Sequence, residues 1–395
     1  MESGAAGRAP RLAAVLRDKE TVTPLELFFD LVFVLALTQC TALMADDPSW
    51  AGLARGLLIL GVLWWSWVGY AWLTSVVDPE EGVVRLAIFG AMAALLVAAL
   101  CVPEAFDENA LLFAVAYGVV RIAQLVLFLA ASRGDPQLRS AVLAGLVGST
   151  ALGLGLLVAA SFTDGALQGG LWALALALDM AGPYFFGSEG WRLVPAHFAE
   201  RHGLIIIIAL GESIVAIGAG ASADVDMGVV LAAALGTGVA AAMWWLYFDV
   251  VALVAERRLS NAPVGREQNE IARDSFSFLH LPMVAGIVLG ALGLKKTIEH
   301  VDEPLKTIPA FALMGGSALY LLAHVAFRWR NIHRFSTQRL LCALVLLAVI
   351  PLAKEVPAVA SVALVAAALA AVIVYEVVRF AELRDKMRHQ LAPAD

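Results

Sequence analysis

Apolar runs of about 20 residues recur along the whole chain, and only a membrane-embedded fold can hold so many of them. Twelve fall near 24–45, 52–77, 84–103, 109–132, 140–162, 168–186, 202–221, 227–253, 275–294, 307–328, 338–353 and 356–380. A run of this length crosses the hydrocarbon core as an α-helix, which satisfies its own backbone hydrogen bonds in lipid. A β-barrel would instead show short segments of alternating polarity. Composition agrees, with 61% hydrophobic and only 15% charged residues, against about 25% charged in soluble domains. The chain therefore reads as an all-α, polytopic integral membrane protein with about twelve transmembrane helices. The eleventh run is cut short by Pro351 and Lys354.

The charges test that count independently. With a cytoplasmic N-terminus, 21 of the 27 lysines and arginines fall on one side, from Arg8, Arg11, Arg17 and Lys19 to Lys386 and Arg388 in the tail. Five fall on the other side (Arg55, Lys295, Lys296, Lys306 and Lys354), and Arg121 lies inside a run. This positive-inside bias needs an even number of spans and puts both termini in the cytoplasm. The opposite loops are acidic, with residues such as Asp46, Asp47, Glu104, Asp224 and Asp302. The net charge of −7 is thus divided across a bilayer and says little about partners. No basic patch with interleaved aromatics points to nucleic acid. The first span has no small-residue cleavage site and reads as a retained signal anchor. Three cysteines, each inside a run, give neither a disulfide framework nor a zinc spacing.

The two halves resemble each other. Asp30 matches Glu212 after 182 positions, Trp64-Trp65 matches Trp244-Trp245 after 180, and Arg85 matches Arg273 after 188. We expect a six-plus-six duplication with parallel repeats: a cytoplasmic segment 1–23, a first repeat 24–187, a linker 188–201, a second repeat 202–380 and a tail 381–395. Interface tryptophans and loop arginines could also align by chance.

Asp30 and Glu212 stand out because an acid at membrane depth costs roughly 2.5–3.5 kcal/mol and is functional by default. Counted from Pro24, Asp30 is roughly 9 Å into its helix; counted from His202, Glu212 is roughly 15 Å in, near the midplane. Asp179 and Arg121 fall at similar depth, so Arg121 can pair with Asp179 or with Glu212. Glu212 has small neighbours, Gly211 and Ser213, that let a helix or a water path approach. Glu26 and Asp30 are one turn apart and could form an acidic cation vestibule. Alternatively, Glu26 serves only the capping box Thr23-Pro24-Leu25-Glu26. Asp249 is expected to pair with a loop arginine. His197 and His202 are five apart, on different helix faces, whereas zinc helices use i and i+4; no metal is expected, and His202 is placed at the interface. His280 and His324 are read as packing residues. No cofactor motif is visible. The aromatics form an interface belt, or else Phe29, Trp64, Trp65, Trp244, Trp245 and Tyr247 line a cavity for a cation or lipophilic molecule.

The stretch Glu26-Leu-Phe-Phe-Asp-Leu-Val-Phe-Val-Leu-Ala-Leu-Thr-Gln39 resembles the opening signature of the bacterial low-temperature requirement A (LtrA) membrane proteins. Glu200-Arg-His-Gly-Leu-Ile-Ile-Ile-Ile-Ala-Leu-Gly-Glu-Ser-Ile-Val-Ala-Ile-Gly218 and Trp244-Trp-Leu-Tyr-Phe-Asp249 fit the same family. The resemblance implies a polytopic protein of the bacterial cytoplasmic membrane and no particular chemistry. Phe29-Asp30 is also similar, more loosely, to the Phe-Ser-Asp motif of two-repeat endolysosomal potassium channels. This chain has Phe28-Phe29-Asp30, and Gly211 precedes Glu212.

Two functions follow as expectations. The first is a cation or proton-coupled transporter or channel, with Glu26, Asp30, Glu212, Arg121 and Asp179 on or near the route. The second is an intramembrane enzyme acting on an isoprenoid or other lipid, with Asp30, Asp179 or Glu212 as general acid. The expected partners are the bilayer, a small cation or proton or a lipophilic molecule, and a second copy in a homodimer.

Overall fold

Thr23 begins the first helix as the sequence predicts. Its hydroxyl accepts from the Glu26 N–H, and the Glu26 side chain returns to the Thr23 N–H, with Pro24 at the first helical position. The computed structural model describes residues 21–185, 189–221, 225–382 and 384. Fifteen α-helices follow in order: α1 (Pro24–Asp46), α2 (Trp50–Val76), α3 (Gly82–Cys101), α4 (Ala110–Ala131), α5 (Pro136–Val142), α6 (Gly148–Ala160), α7 (Gly165–Phe185), α8 (Pro195–Gly220), α9 (Met227–Phe248), α10 (Val251–Ser260), α11 (Arg266–Ile271), α12 (His280–Glu299), α13 (Thr307–Ile332), α14 (Thr337–Ala348) and α15 (Ala358–Arg379). Polar caps set several starts: Ser49, Asp135 and Asp226 each accept from a first-turn N–H. Two π-helical turns, Leu143–Val147 and Ala272–Phe278, join α5 to α6 and α11 to α12.

Each of the twelve apolar runs contains a helix, and the protein is an all-α, polytopic membrane protein. Among the described residues, ten helices are long and apolar enough to cross a bilayer. Of the other two runs, α7 has 21 residues and α14 only 12. Arg8, Arg11, Arg17, Lys19, Asp224, Lys386 and Arg388 lie outside the described residues.

The helices α1, α2, α8 and α12 meet at the centre, and α1 packs along α8. Tight crossings use small residues, as membrane packing favours. A Cβ placed on Gly286 of α12 would lie 2.7 Å from the Gly316 carbonyl oxygen of α13, so these two backbones touch. The structure corrects one boundary that matters below. The helix expected to begin at 202 begins at Pro195, so His197 and Arg201 belong to α8 and not to a linker.

Candidate functional site

Because both helices start with Pro at the first position and run side by side, α1 and α8 pair residue for residue. The Nε2–H of His197 donates to Glu26 Oε1 at 2.8 Å, and Arg201 Nη2 donates to Asp30 Oδ1 at 2.7 Å; each pair is 171 positions apart. Arg201 Nη1 also reaches Glu26 Oε1 at 3.0 Å, so one guanidinium spans both acids. Trp67 on α2 donates its indole N–H to the same Asp30 oxygen at 2.9 Å, and Ser75 meets the other nitrogen of His197 at 3.1 Å. Glu26, Asp30, His197 and Arg201 are each no more than 1% exposed. Glu26 therefore does two jobs: Oε2 completes the capping box and Oε1 faces α8.

This geometry overturns the expected equivalence of Asp30 and Glu212. With α1 and α8 aligned at 171, the partner of Asp30 is Arg201, and Glu212 lies eleven residues further along the seam, roughly 16 Å. The helix starts at Pro195, seven residues before His202, so Glu212 lies deeper than a count from His202 gives. Nor is Asp30 an open acidic vestibule, because Arg201 neutralises it.

Charge counting identifies what is unusual about the cluster. Among the described residues the two carboxylates meet one guanidinium and one imidazole, which can carry a further proton. Asp30 Oδ2 has no partner among the described residues and offers a place for it.

Glu212 is a different kind of acid. It is buried, and no described cation forms an ion pair with it. Its Oε2 meets the Thr38 hydroxyl across the seam. That hydroxyl also lies 3.0 Å from the Val34 carbonyl oxygen. A hydroxyl has one proton to donate. It can donate to an ionised Glu212, or turn to Val34 and accept from a protonated one.

Between the two sites stands His202, which the sequence reading put at the interface and the structure buries completely. Its Nδ1 faces the Phe198 carbonyl oxygen at 2.8 Å and so must carry the proton in the neutral ring. Its Nε2 has no partner among the described residues. Trp64, Trp67, Phe198, Phe276 and His280 enclose the ring. The π turn helps to build this box. Leu279 N–H bonds to the Asp274 carbonyl, which frees the Ser275 carbonyl for His280 Nδ1 at 3.0 Å. Tyr247 then donates to His280 Nε2 at 2.8 Å.

The other candidates are placed as follows. Arg121 pairs with Asp179 at 2.8 Å and also donates to Gln124 and Thr150, which joins α4, α6 and α7 away from the seam. Phe29 stacks near Tyr70 beside Glu26, and Trp64 donates to the Ser277 carbonyl oxygen. Trp65 lines a cavity with Trp72, Phe128 and Trp191. Trp244 and Trp245 are not cavity residues: they are 45% and 38% exposed on the outer face of α9, where the bilayer would lie. Asp249 pairs with Arg384 in the C-terminal segment. Sequence reasoning missed Arg201, His197 and Trp67 as site residues. The signal for the first two was Val194-Pro195, a helix start like Thr23-Pro24.

The chain matches the family described as bacterial low temperature requirement A protein (LtrA) over residues 21–374. It belongs to the LtrA family. It is also 32% identical over 313 residues to an uncharacterized protein of Rhizobium meliloti (strain 1021), covering 75% of this chain and 74% of that one. No solved structure matches it. The two longest stretches of the LtrA resemblance lie on α1 and α8, and together they form the seam that holds Glu26, Asp30, Arg201 and Glu212.

Proposed function

We propose that this LtrA-family protein carries protons, or a small cation exchanged against protons, across the bacterial cytoplasmic membrane along the α1–α8 seam. The arginine-rich end, with both termini, faces the cytoplasm. The observation that carries this reading is the burial of three acids, Glu26, Asp30 and Glu212, on one helix pair. Among the described residues Glu26 and Asp30 both bond Arg201 at one level, and Glu212, two to three turns deeper, meets the Thr38 hydroxyl and forms no ion pair. Buried charge without compensation is costly, so such groups persist in membranes where protons or ions move. The seam is closely packed. The cavity beside Glu26 has room for about one water, which suits proton transfer between side chains better than a hydrated ion.

The enzyme reading has one observation in its favour, the aromatic cavity of about 520 Å³ lined by Trp65, Trp72, Phe128 and Trp191. Arg121 and Arg273 supply its charge, and no Asp or Glu lines it. A general acid is therefore missing from this cavity, and transport is favoured.

The test is flux in liposomes that hold the purified chain, with proton, potassium and sodium gradients imposed in turn. We expect proton-dependent flux in the wild type. Glu212→Gln should lower it at least about tenfold, and Thr38→Val should lower it in the same direction. Wild-type flux in Glu212→Gln and Asp30→Asn together would sink the mechanism. No flux from correctly folded wild type would return the choice to catalysis.

A further inference from the structure

A second cavity lies at the arginine-rich end, between the start of α10 and the ends of α13, α14 and α15. Its empty volume, counted with the part open to the surroundings, is about 820 Å³, and Arg328, Arg339 and Arg384 all line it. Two of these arginines are matched. Arg339 makes a two-pronged pair with Glu376, both bonds at 2.8 Å, and Arg384 pairs with Asp249. Arg328 is not: its Nη1 donates to the Ser336 hydroxyl at 2.9 Å, and among the described residues no carboxylate forms an ion pair with it. Its Nε is buried without a partner. The cavity thus has one guanidinium charge in excess and one desolvated donor without an acceptor, a combination that costs stability until an anion supplies both.

The walls decide what kind of anion fits. Val250, Val251, Val254 and Phe380 leave most of the lining apolar, and each is partly exposed. A free inorganic anion would use the arginines and leave these walls unexplained. A phosphate that carries acyl chains would use both, with its headgroup at the helix ends and its chains on the valines. Basic pockets between helices at this level are suited to anionic headgroups.

We propose that this cavity binds an anionic phospholipid, with Arg328 holding the phosphate and the α10 valines holding the chain. The inference needs the membrane setting and is independent of any transport along α1 and α8.

The test is a native mass spectrometry titration of the delipidated full chain with phosphatidylglycerol, phosphatidylcholine or inorganic phosphate. Phosphatidylglycerol should bind about tenfold more tightly than phosphatidylcholine, and Arg328→Gln should weaken it about tenfold. Arg379→Gln removes an exposed charge at the same end, outside the cavity, and should leave binding unchanged. Arg328→Lys keeps the charge and loses the fork, so it should give an intermediate affinity and stands in if the glutamine variant does not fold. Equal affinities across wild type, Arg328→Gln and Arg379→Gln would overturn the site. Displacement of the lipid by millimolar inorganic phosphate, with phosphate alone binding as tightly, would assign the cavity to a soluble phosphate and overturn the lipid.

Discussion

Arg201 shows how little the worth of an ion pair depends on its distance and how much on its burial. A surface pair contributes about 0–1 kcal/mol, whereas removing one partner of a buried pair costs about 3–5 kcal/mol because the other charge stays desolvated. Arg201→Met would take from both buried carboxylates the guanidinium they share. We expect a loss of about 3–5 kcal/mol, seen as aggregation on heating followed by size-exclusion chromatography. Adding Glu26→Gln and Asp30→Asn to the same variant should restore a monodisperse protein, since neither carboxylate charge then remains buried. The pairing account fails if Arg201→Met is as heat-resistant as wild type, or if the triple variant is no better than the single one. Arg201→Lys should fold but carry less flux. An ammonium cannot hold Glu26 and Asp30 through a planar fork.

At the level of elements, helix and bilayer were legible because they rest on local pattern: runs of apolar residues, Thr23-Pro24 at a start, Pro351 at an end. What escaped was anything set by a partner far along the chain. The segment Pro195-Ala-His-Phe-Ala-Glu-Arg-His202 looks like a polar loop by itself, and only Glu26 and Asp30 on α1 make its charges tolerable inside the protein. The π turns were invisible for a related reason. Leu143–Val147 and Ala272–Phe278 have the composition of ordinary helix, and the widened turn at Ala272–Phe278 serves side chains elsewhere, such as His280. Glycine spacing carried a signal that went unused. Gly286 and Gly316 let α12 and α13 touch backbone to backbone, so Gly286→Ala must push the helices apart. Overpacking of this kind costs about 1–3 kcal/mol. A lower unfolding temperature in the same detergent is the expected readout, and an unchanged one would mean that the two backbones do not touch at Gly286.

Across the whole molecule, we propose that the six-plus-six duplication organises the fold. Six packing pairs in the first half (α1–α2, α1–α3, α3–α4, α4–α6, α6–α7 and α2–α7) have counterparts in the second (α8–α9, α8–α12, α12–α13, α13–α14, α14–α15 and α9–α15). Each half also buries one ion pair among its last three spans, Arg121 with Asp179 and Arg339 with Glu376. In each, a tyrosine stands one turn before a basic residue on the fourth span, Tyr117 before Arg121 and Tyr320 before His324. The weakest member of such a scheme is α14. Its 12 residues cover roughly 18 Å, well short of a bilayer. Yet the chain does return to the far end: Ala358 N–H donates to the Glu303 carbonyl oxygen at 2.9 Å, beside the start of α13. The stretch 349–357, which includes the 3₁₀ turn Leu352–Lys354, completes the crossing that the helix begins. If so, three crossings separate the loop at Asp302 from the C-terminus, and the two lie on opposite sides. Alkaline phosphatase fused after Asp302 should be active and a fluorescent protein in that place dark, with the reverse after Asp395. Fusions that report the same side at both positions would show that α14 does not cross, and would end both the even count of spans and the symmetry built on it.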